Sequence, residues 1–293
     1  MEKRVVFRSS WLPWLLLLPQ MAVILVFFFW PAGQALLQSL QQQDPFGTSV
    51  EFVGLANFRQ LLDDPSYVES FKTTAFFSVM VAGIGISLSL VLAVFADRIV
   101  RGGMFYKTML VLPYAVAPAV AAVLWVFMFS PSLGVVAYAL GKIGINWNHL
   151  LDSGHAMTLI VMASVWKQIS YNFLFFLAGL QSIPKSLIEA AAIDGARPWR
   201  RFWTIQFPLL SPTTFFLLVI NVVYAFFDTF AIVHATTEGG PGRDTAILVY
   251  KVWHDGFRAL DLGGSAAQSV VLMVIVVVLT VIQFRYVEKK VQY

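Results

Sequence analysis

The chain has no cysteine and few charged side chains, and both shortages restrict the class of protein to which it can belong. Its 293 residues include no cysteine, which excludes disulfides and thiolate metal sites. Only 12% of the residues are charged, whereas soluble domains carry about 25%. No polar segment is long enough to form a soluble domain. Apolar residues make up 58% of the chain, which is the composition of a protein built for lipid.

Long charge-free runs dominate the sequence. A helix needs roughly 20 predominantly apolar residues to span a bilayer. Five such runs carry no charge, and a sixth is interrupted only by Lys167. We therefore predict an all-α integral membrane fold, with six transmembrane helices in a single domain over residues 1–293. The expected helices are at about 12–40, 71–96, 108–129, 156–179, 210–233 and 263–285.

The distribution of Lys and Arg predicts the orientation in the membrane. With both termini inside, the cytoplasmic segments carry thirteen basic residues and the external segments carry six. Cytoplasmic loops of membrane proteins are enriched in Lys and Arg, so both termini are expected in the cytoplasm. The net charge of +4 then reflects topology and gives no reason to expect a nucleic-acid partner.

A polar segment at about 180–209 separates the predicted fourth and fifth helices. Ser186, with Glu189 three residues later, has the spacing of a capping box. Gly195 can end that helix in a left-handed cap, and Pro198 suits the first turn of a second short helix. The pattern predicts a helix–turn–helix on the cytoplasmic side. From periodicity alone, it could equally be an interfacial hairpin whose arginines lie on lipid phosphates.

The same segment carries a recognisable motif. It fits the pattern E-A-A-x3-G-x9-I-x-L-P, with Phe207 in place of the usual leucine. The pattern resembles the signature cytoplasmic loop of permease subunits in binding-protein-dependent ABC importers, and the downstream Gly239-Gly240-Pro241 resembles the carbohydrate-uptake branch. The resemblance implies a coupling loop that fits a cleft on a partner ATPase. The residues assigned to this loop are Glu189, Ala190, Ala191, Asp194, Gly195, Ile205 and Pro208.

The resemblance also implies a fold and a set of partners. It implies a type I importer permease fold in a bacterial cytoplasmic (inner) membrane, a second homologous permease, two copies of an ABC ATPase, and a periplasmic or extracellular solute-binding protein. The chain itself would hold no cofactor, and the partner ATPase would bind ATP and Mg. Consistently, the sequence has no match to G-x-x-x-x-G-K-[ST], the phosphate-binding loop. Segments 112–120, 164–173 and 223–230 resemble family members that import sn-glycerol 3-phosphate, so this substrate, or another sugar or polyol, is expected.

Polar residues at membrane depth are candidates for a substrate path. A charge at the centre of a membrane helix costs about 3 kcal/mol on insertion scales, so Lys167 should face the bundle or a water-filled path, where it could attract the phosphate of a glycerol phosphate. In the structural alternative, Lys167 and Asp228 pair with each other, while Asn221 ties helices together. The candidates are Lys167, Tyr171 and Asn172 on the fourth helix and Asn221, Tyr224 and Asp228 on the fifth.

Two other function classes remain open at this point. A standalone secondary carrier would also explain the hydropathy and the buried Lys167, and it predicts inverted repeats within the chain. An integral membrane enzyme would need a catalytic constellation, but the sequence has no paired carboxylates, HExxH or nucleophile elbow. The four histidines lack the spacing of metal ligands, so no metal site is predicted.

Overall fold

Long helices account for most of the chain. The computed structural model describes residues 11–44, 48–98 and 102–287. Within these ranges, a sixth span results only if the bent pair Gly103–Ala115 and Pro118–Met128 is counted as one. Five other helices are long and apolar enough to cross a membrane: Leu12–Gln38, Pro65–Arg98, Ser153–Ser182, Ser211–Asp228 and Leu262–Arg285.

The third predicted span, at 108–129, is not one straight helix. Its two halves meet at an angle of 104°. The residue before a proline is disfavoured in the α-region, and Ala117, which precedes Pro118, is extended with φ −60° and ψ 140°. Val116 is extended as well, with φ −80° and ψ 129°. Two consecutive residues therefore leave the helical conformation. A count of charge-free residues cannot predict such a break.

The shorter elements connect the membrane helices. A small antiparallel sheet pairs Gln41–Gln43 with Val50–Phe52, so the fold is mostly rather than entirely helical. The short helices include Ala56–Asp63, Val135–Lys142, Phe230–Thr236 and Leu248–Trp253. Single π-helical turns occur at Leu25–Phe29, Phe202–Gln206, Tyr224–Asp228, His254–Arg258 and Gln283–Val287.

The described residues form two compact units. The smaller unit draws on residues 1–63 and 252–271, and the larger on 64–251 and 272–293. In the smaller unit, the buried amide of Asn57 donates to the carbonyl oxygens of Ser39 at 3.0 Å and Gln41 at 2.9 Å. These two bonds fasten the short helix to the chain segment that follows the first membrane helix.

The core of the larger unit lies where Pro65–Arg98 packs along Ser153–Ser182. Phe173 and Phe176 are fully buried there. The small side chain of Ser89, also fully buried, donates to the carbonyl oxygen of Ile169 at 3.1 Å. Small residues of this kind allow membrane helices to approach closely.

Candidate functional site

The polar segment before Ser211–Asp228 forms a helical hairpin, here called the hairpin (residues 185–209). Pro198 occupies the first turn of the second arm, as predicted, because its fixed φ is already helical and its missing N–H would have no partner there. The second arm is longer than expected, since helical turns continue beyond Arg201. The helical segments of the hairpin are Lys185–Ile193, Pro198–Arg201, Phe202–Gln206 and Phe207–Leu209.

Gly195 makes the turn between the two arms. Its φ is +77°, in the left-handed region. The amide of Gly195 donates to Ala192 O at 3.1 Å, and the amide of Ala196 donates to Ala191 O at 2.9 Å. This pair of bonds is a Schellman motif, so the left-handed cap predicted at Gly195 is confirmed. A Cβ at this position would meet nothing within 4 Å, so the backbone angle rather than crowding requires glycine.

The predicted capping box is wrong. The first arm begins at Lys185, directly after Pro184, and no side chain caps it. The amide of Leu187 donates to the carbonyl oxygen of Pro184 at 3.1 Å, so the first turn closes earlier than the serine would have closed it. Ser186 and Glu189 therefore lie within the arm, both exposed.

The hairpin exposes large apolar side chains as well as polar ones. Ile193 is 87% exposed and Trp199 is 72% exposed. Among the residues assigned to the coupling loop, Glu189, Ala190, Asp194 and Gly195 are exposed, Ala191 is half-buried at the tip, and Ile205 and Pro208 are half-buried in the second arm. The tip therefore offers apolar and acidic groups, whereas the end of the motif lies closer to the core.

Aromatic rings fasten the second arm. Phe202 is buried, and its ring centroid lies 5.1 Å from that of Trp203, which lies 5.0 Å from that of Phe207. Arg201 Nη1 donates to the carbonyl oxygen of Ile188 at 3.4 Å and so links the second arm to the first. The hairpin is thus held from within the chain while its tip stays exposed.

A second candidate site is a cavity of about 360 Å³ among the membrane helices. It brings together four of the six predicted path residues, Lys167, Tyr171, Tyr224 and Asp228. The sequence analysis missed the other lining residues, which are Tyr114, Pro118, Gln168 and Ile220. The prolines around Tyr114 were the available signal, because they mark the break at which this residue lies.

Lys167 is bound to the broken helix. Its Nζ donates to Val116 O at 2.6 Å and to Tyr114 O at 3.3 Å, and lies 5.7 Å from the centroid of the Tyr114 ring. Both carbonyls lie at the C-terminal end of Gly103–Ala115, where backbone oxygens lack helical partners and the helix dipole favours a cation. The ammonium group therefore binds the carbonyl oxygens that the bend leaves without helical partners, and it also lines the cavity.

Asn172 and Asn221 bind each other instead of lining the cavity. Both are fully buried, and their amides exchange two hydrogen bonds of 3.2 Å and 2.8 Å. Asn221 Nδ2 also donates to Leu217 O at 2.7 Å. A Cβ on Gly85 would contact both amides at 3.5–3.6 Å, so three helices meet at this point. Asn221 therefore links neighbouring helices, as predicted, and its partner is Asn172.

Asp228 lies on the cavity wall without an ion pair to Lys167. Tyr224, 7% exposed, donates from its hydroxyl to Ser164 O at 3.4 Å. The cavity therefore presents a cation and a carboxylate on separate helices, and the proposed direct pairing of these two groups is not found.

The chain matches a known family model and has close relatives. Residues 84–293 match the family described as the binding-protein-dependent transport system inner membrane component. The chain is 61% identical over 292 residues to the sn-glycerol-3-phosphate transport system permease protein UgpA of Pectobacterium atrosepticum, covering 100% of this chain and 99% of that one. It is 62% identical over 289 residues to UgpA of Agrobacterium fabrum, covering 99% of each.

Solved structures share the fold. A bacterial ABC transporter involved in the import of the acidic polysaccharide alginate superposes with a TM-score of 0.83 at 23% identity, covering 96% of each chain. The MetNI methionine ABC transporter, in inward-facing conformations, superposes with a TM-score of 0.53 at 14% identity, covering 81% of this chain and 99% of that one. At these identities the likeness shows the fold alone.

Proposed function

The chain belongs to the family of inner-membrane components of binding-protein-dependent transport systems, and on that premise we propose that it is the membrane-spanning subunit of an ATP-driven importer of sn-glycerol 3-phosphate. We infer this substrate from relatives described as sn-glycerol-3-phosphate permeases, which are 61–62% identical over nearly the whole chain. The family accounts for the motif at 189–208, which a standalone carrier would not need. The subunit is not an enzyme, since ATP hydrolysis belongs to a separate chain.

The subunit would work within an assembly. It would pair with a second homologous permease, and two copies of an ABC ATPase that binds ATP and Mg would dock on its cytoplasmic side. A periplasmic solute-binding protein would deliver the substrate. The proposed topology counts the bent pair as one span, which gives six spans and two cytoplasmic termini. A cysteine introduced at Ser186 should then react with membrane-impermeant maleimide only after the inner face is opened, and labelling from outside would refute the orientation.

The hairpin is the single feature that supports ATPase coupling most directly. Its tip exposes Ile193 although this side chain is large and apolar. Exposed apolar surface rimmed by polar residues marks sites of protein–protein contact, and the exposed Glu189 and Asp194 flank Ile193 in the sequence. We propose that Glu189, Ala190, Ala191, Asp194, Gly195, Ile205 and Pro208 form the ATPase-coupling loop.

The test is ATP hydrolysis by the purified complex in proteoliposomes, with the binding protein either empty or loaded with glycerol 3-phosphate. Loaded binding protein should stimulate hydrolysis, and Ile193→Glu should abolish that stimulation because it places a charge in the proposed contact. The matched control is Met104→Glu, which changes an equally exposed apolar residue outside the hairpin. Full stimulation of Ile193→Glu would refute docking through the hairpin. Basal hydrolysis without stimulation by glycerol 3-phosphate would refute the substrate.

The cavity is proposed to belong to the translocation path. Lys167, Tyr171, Tyr224 and Asp228 line it, while Asn172 and Asn221 would hold its helices together. The ammonium of Lys167 would meet the phosphate, and a hydrogen bond to a charged group contributes about 1.5–3 kcal/mol. Lys167→Gln should therefore raise the KM of uptake by roughly tenfold or more, whereas Lys142→Gln, at a surface lysine stacked on Tyr138, should not. Unchanged uptake by Lys167→Gln would remove this residue from the path.

A further inference from the structure

A long apolar groove lies between the end of Pro65–Arg98 and the base of the hairpin, and its volume is about 800 Å³. One wall is a face of that helix, on which Leu90, Val94 and Arg98 follow each other at four-residue spacing. The other wall comes from the second arm of the hairpin and includes Trp199 and Trp203. We name it the lipid groove for the occupant argued below.

The groove is lined mainly by apolar side chains and carries a cation at one end. Arg98, at the end of the helix Pro65–Arg98, is the only charged residue among its described lining residues. No carboxylate of the described chain forms an ion pair with this guanidinium. Arginine is the side chain best suited to bind phosphate, because its planar donors match phosphate oxygens in pairs. The end of the groove is thus complementary to a phosphate group.

The length of the groove matches one leaflet of a bilayer. From Ile86 to Arg98 the helix rises about 18 Å at 1.5 Å per residue, and half of a bilayer's hydrocarbon core is about 15 Å. Trp199 and Trp203 also line the groove, and tryptophan is enriched at the level of lipid headgroups. The groove therefore has the dimensions and polarity of a site for one acyl chain with its headgroup.

We propose that this groove binds an anionic phospholipid of the leaflet on the hairpin side, with an acyl chain against Leu90 and Val94 and the phosphate on Arg98. A transmembrane helix of a partner subunit is a poorer fit. Interfaces between membrane helices are enriched in small residues that allow close approach, whereas these walls carry mostly Ile, Leu, Val, Phe and Trp, with Ser87 and Thr214 as the small exceptions. Because Trp199 and Phe202 form part of the wall, the bound lipid supports the base of the hairpin.

The first experiment measures the lipid retained by the purified importer complex from nanodiscs of phosphatidylcholine containing phosphatidylglycerol. Arg98→Gln should reduce retained phosphatidylglycerol about fivefold, because one basic residue near an anionic surface contributes about that factor to the binding constant. Arg200→Gln is the matched control, because this exposed arginine lies in the hairpin but outside the groove. Equal retention by wild type and Arg98→Gln, or an equal loss in both variants, would overturn the proposal.

The second experiment locates the acyl chain independently of the headgroup. Phosphatidylglycerol with brominated chains should quench the fluorescence of wild-type complex more than that of Trp203→Phe. Leu90→Trp, which fills the groove, should lower lipid retention while the complex remains monodisperse. The absence of native cysteine allows Leu90→Cys to be tested with a short bifunctional maleimide against a cysteine scan of the second permease. Efficient crosslinking there would show that a subunit covers the groove, and the lipid proposal would be rejected.

Discussion

Replacing Gly195 with alanine isolates the contribution of one backbone angle to the hairpin. The angle is +77°, and the added methyl group would meet no atom within 4 Å. Steric clash with neighbours therefore contributes nothing, and the whole cost is the left-handed conformation, about 1–2 kcal/mol for an L-residue. A change of that size alters the ratio of open to closed turns by a factor of about 5–30. Asparagine tolerates this region far better, so Gly195→Asn should recover most of the loss.

Limited digestion of the permease, purified without the ATPase so that the hairpin is accessible, measures that ratio. Endoproteinase Asp-N cleaves on the N-terminal side of aspartate, and the amide of Asp194 donates to Ala190 O at 3.0 Å, so cleavage of the Ile193–Asp194 bond requires the turn to open. When opening and closing are fast relative to cleavage, the rate follows the population of the open form. Cleavage before Asp194 should rise about 5–30-fold in Gly195→Ala and only slightly in Gly195→Asn.

A matched control comes from a second glycine. Gly144 has φ +87° and open space around its Cβ position, so Gly144→Ala carries the same strain outside the hairpin. It should leave cleavage before Asp194 unchanged. Equal cleavage of wild type and Gly195→Ala, or an asparagine variant as labile as the alanine variant, would refute the argument from backbone angle.

Two further predictions concern buried polar groups. Asn172→Ala and Asn221→Ala should each lower the stability of the fold because the remaining amide loses its partner. The double variant should be less destabilised than the sum of the two single variants by about 0.6 kcal/mol, and by up to about 1.7 kcal/mol. Strictly additive effects in thermal unfolding would contradict the pairing. Burial lowers the pKa of His149 below its ordinary value of 6.5, since it penalises the imidazolium. The folded state thus favours the neutral ring. The contribution of His149 to the stability of the fold is therefore present above pH 6.5 and is lost as the pH falls through the lowered pKa. His149→Phe should remove this acid sensitivity of the unfolding temperature, and an unchanged pH profile would assign it to other groups.

Local chemistry made part of the hairpin predictable. A left-handed cap and a first-turn proline depend on one or two residues, and both Gly195 and Pro198 take the expected roles. The capping box failed for an equally local reason. Pro184 starts the helix before Ser186 could cap it, and the box pattern does not consider the residues that precede it.

The cavity was predictable only in its residue types. Depth and charge correctly singled out Lys167 as a residue facing the interior, but not its partners. Those partners are backbone oxygens freed by a bend about fifty residues earlier, and no side-chain pattern records a freed carbonyl. Helical spacing likewise grouped Asn221 with Tyr224 and Asp228, although the π-helical turn that begins at Tyr224 changes which faces these residues share.

The bend at Ala117–Pro118 has a consequence for the order in which the chain assembles. Each half of the broken segment, 13 and 11 residues long, is shorter than the roughly 20 residues that a span requires. The carbonyls at its centre are satisfied by Lys167, which is synthesised after them. Until the helix Ser153–Ser182 arrives, those oxygens have no such donor, and an exposed carbonyl in hydrocarbon is costly. The mature shape of the bent pair is therefore completed by Ser153–Ser182, and a chain ending before Lys167 would lack the donor that holds it.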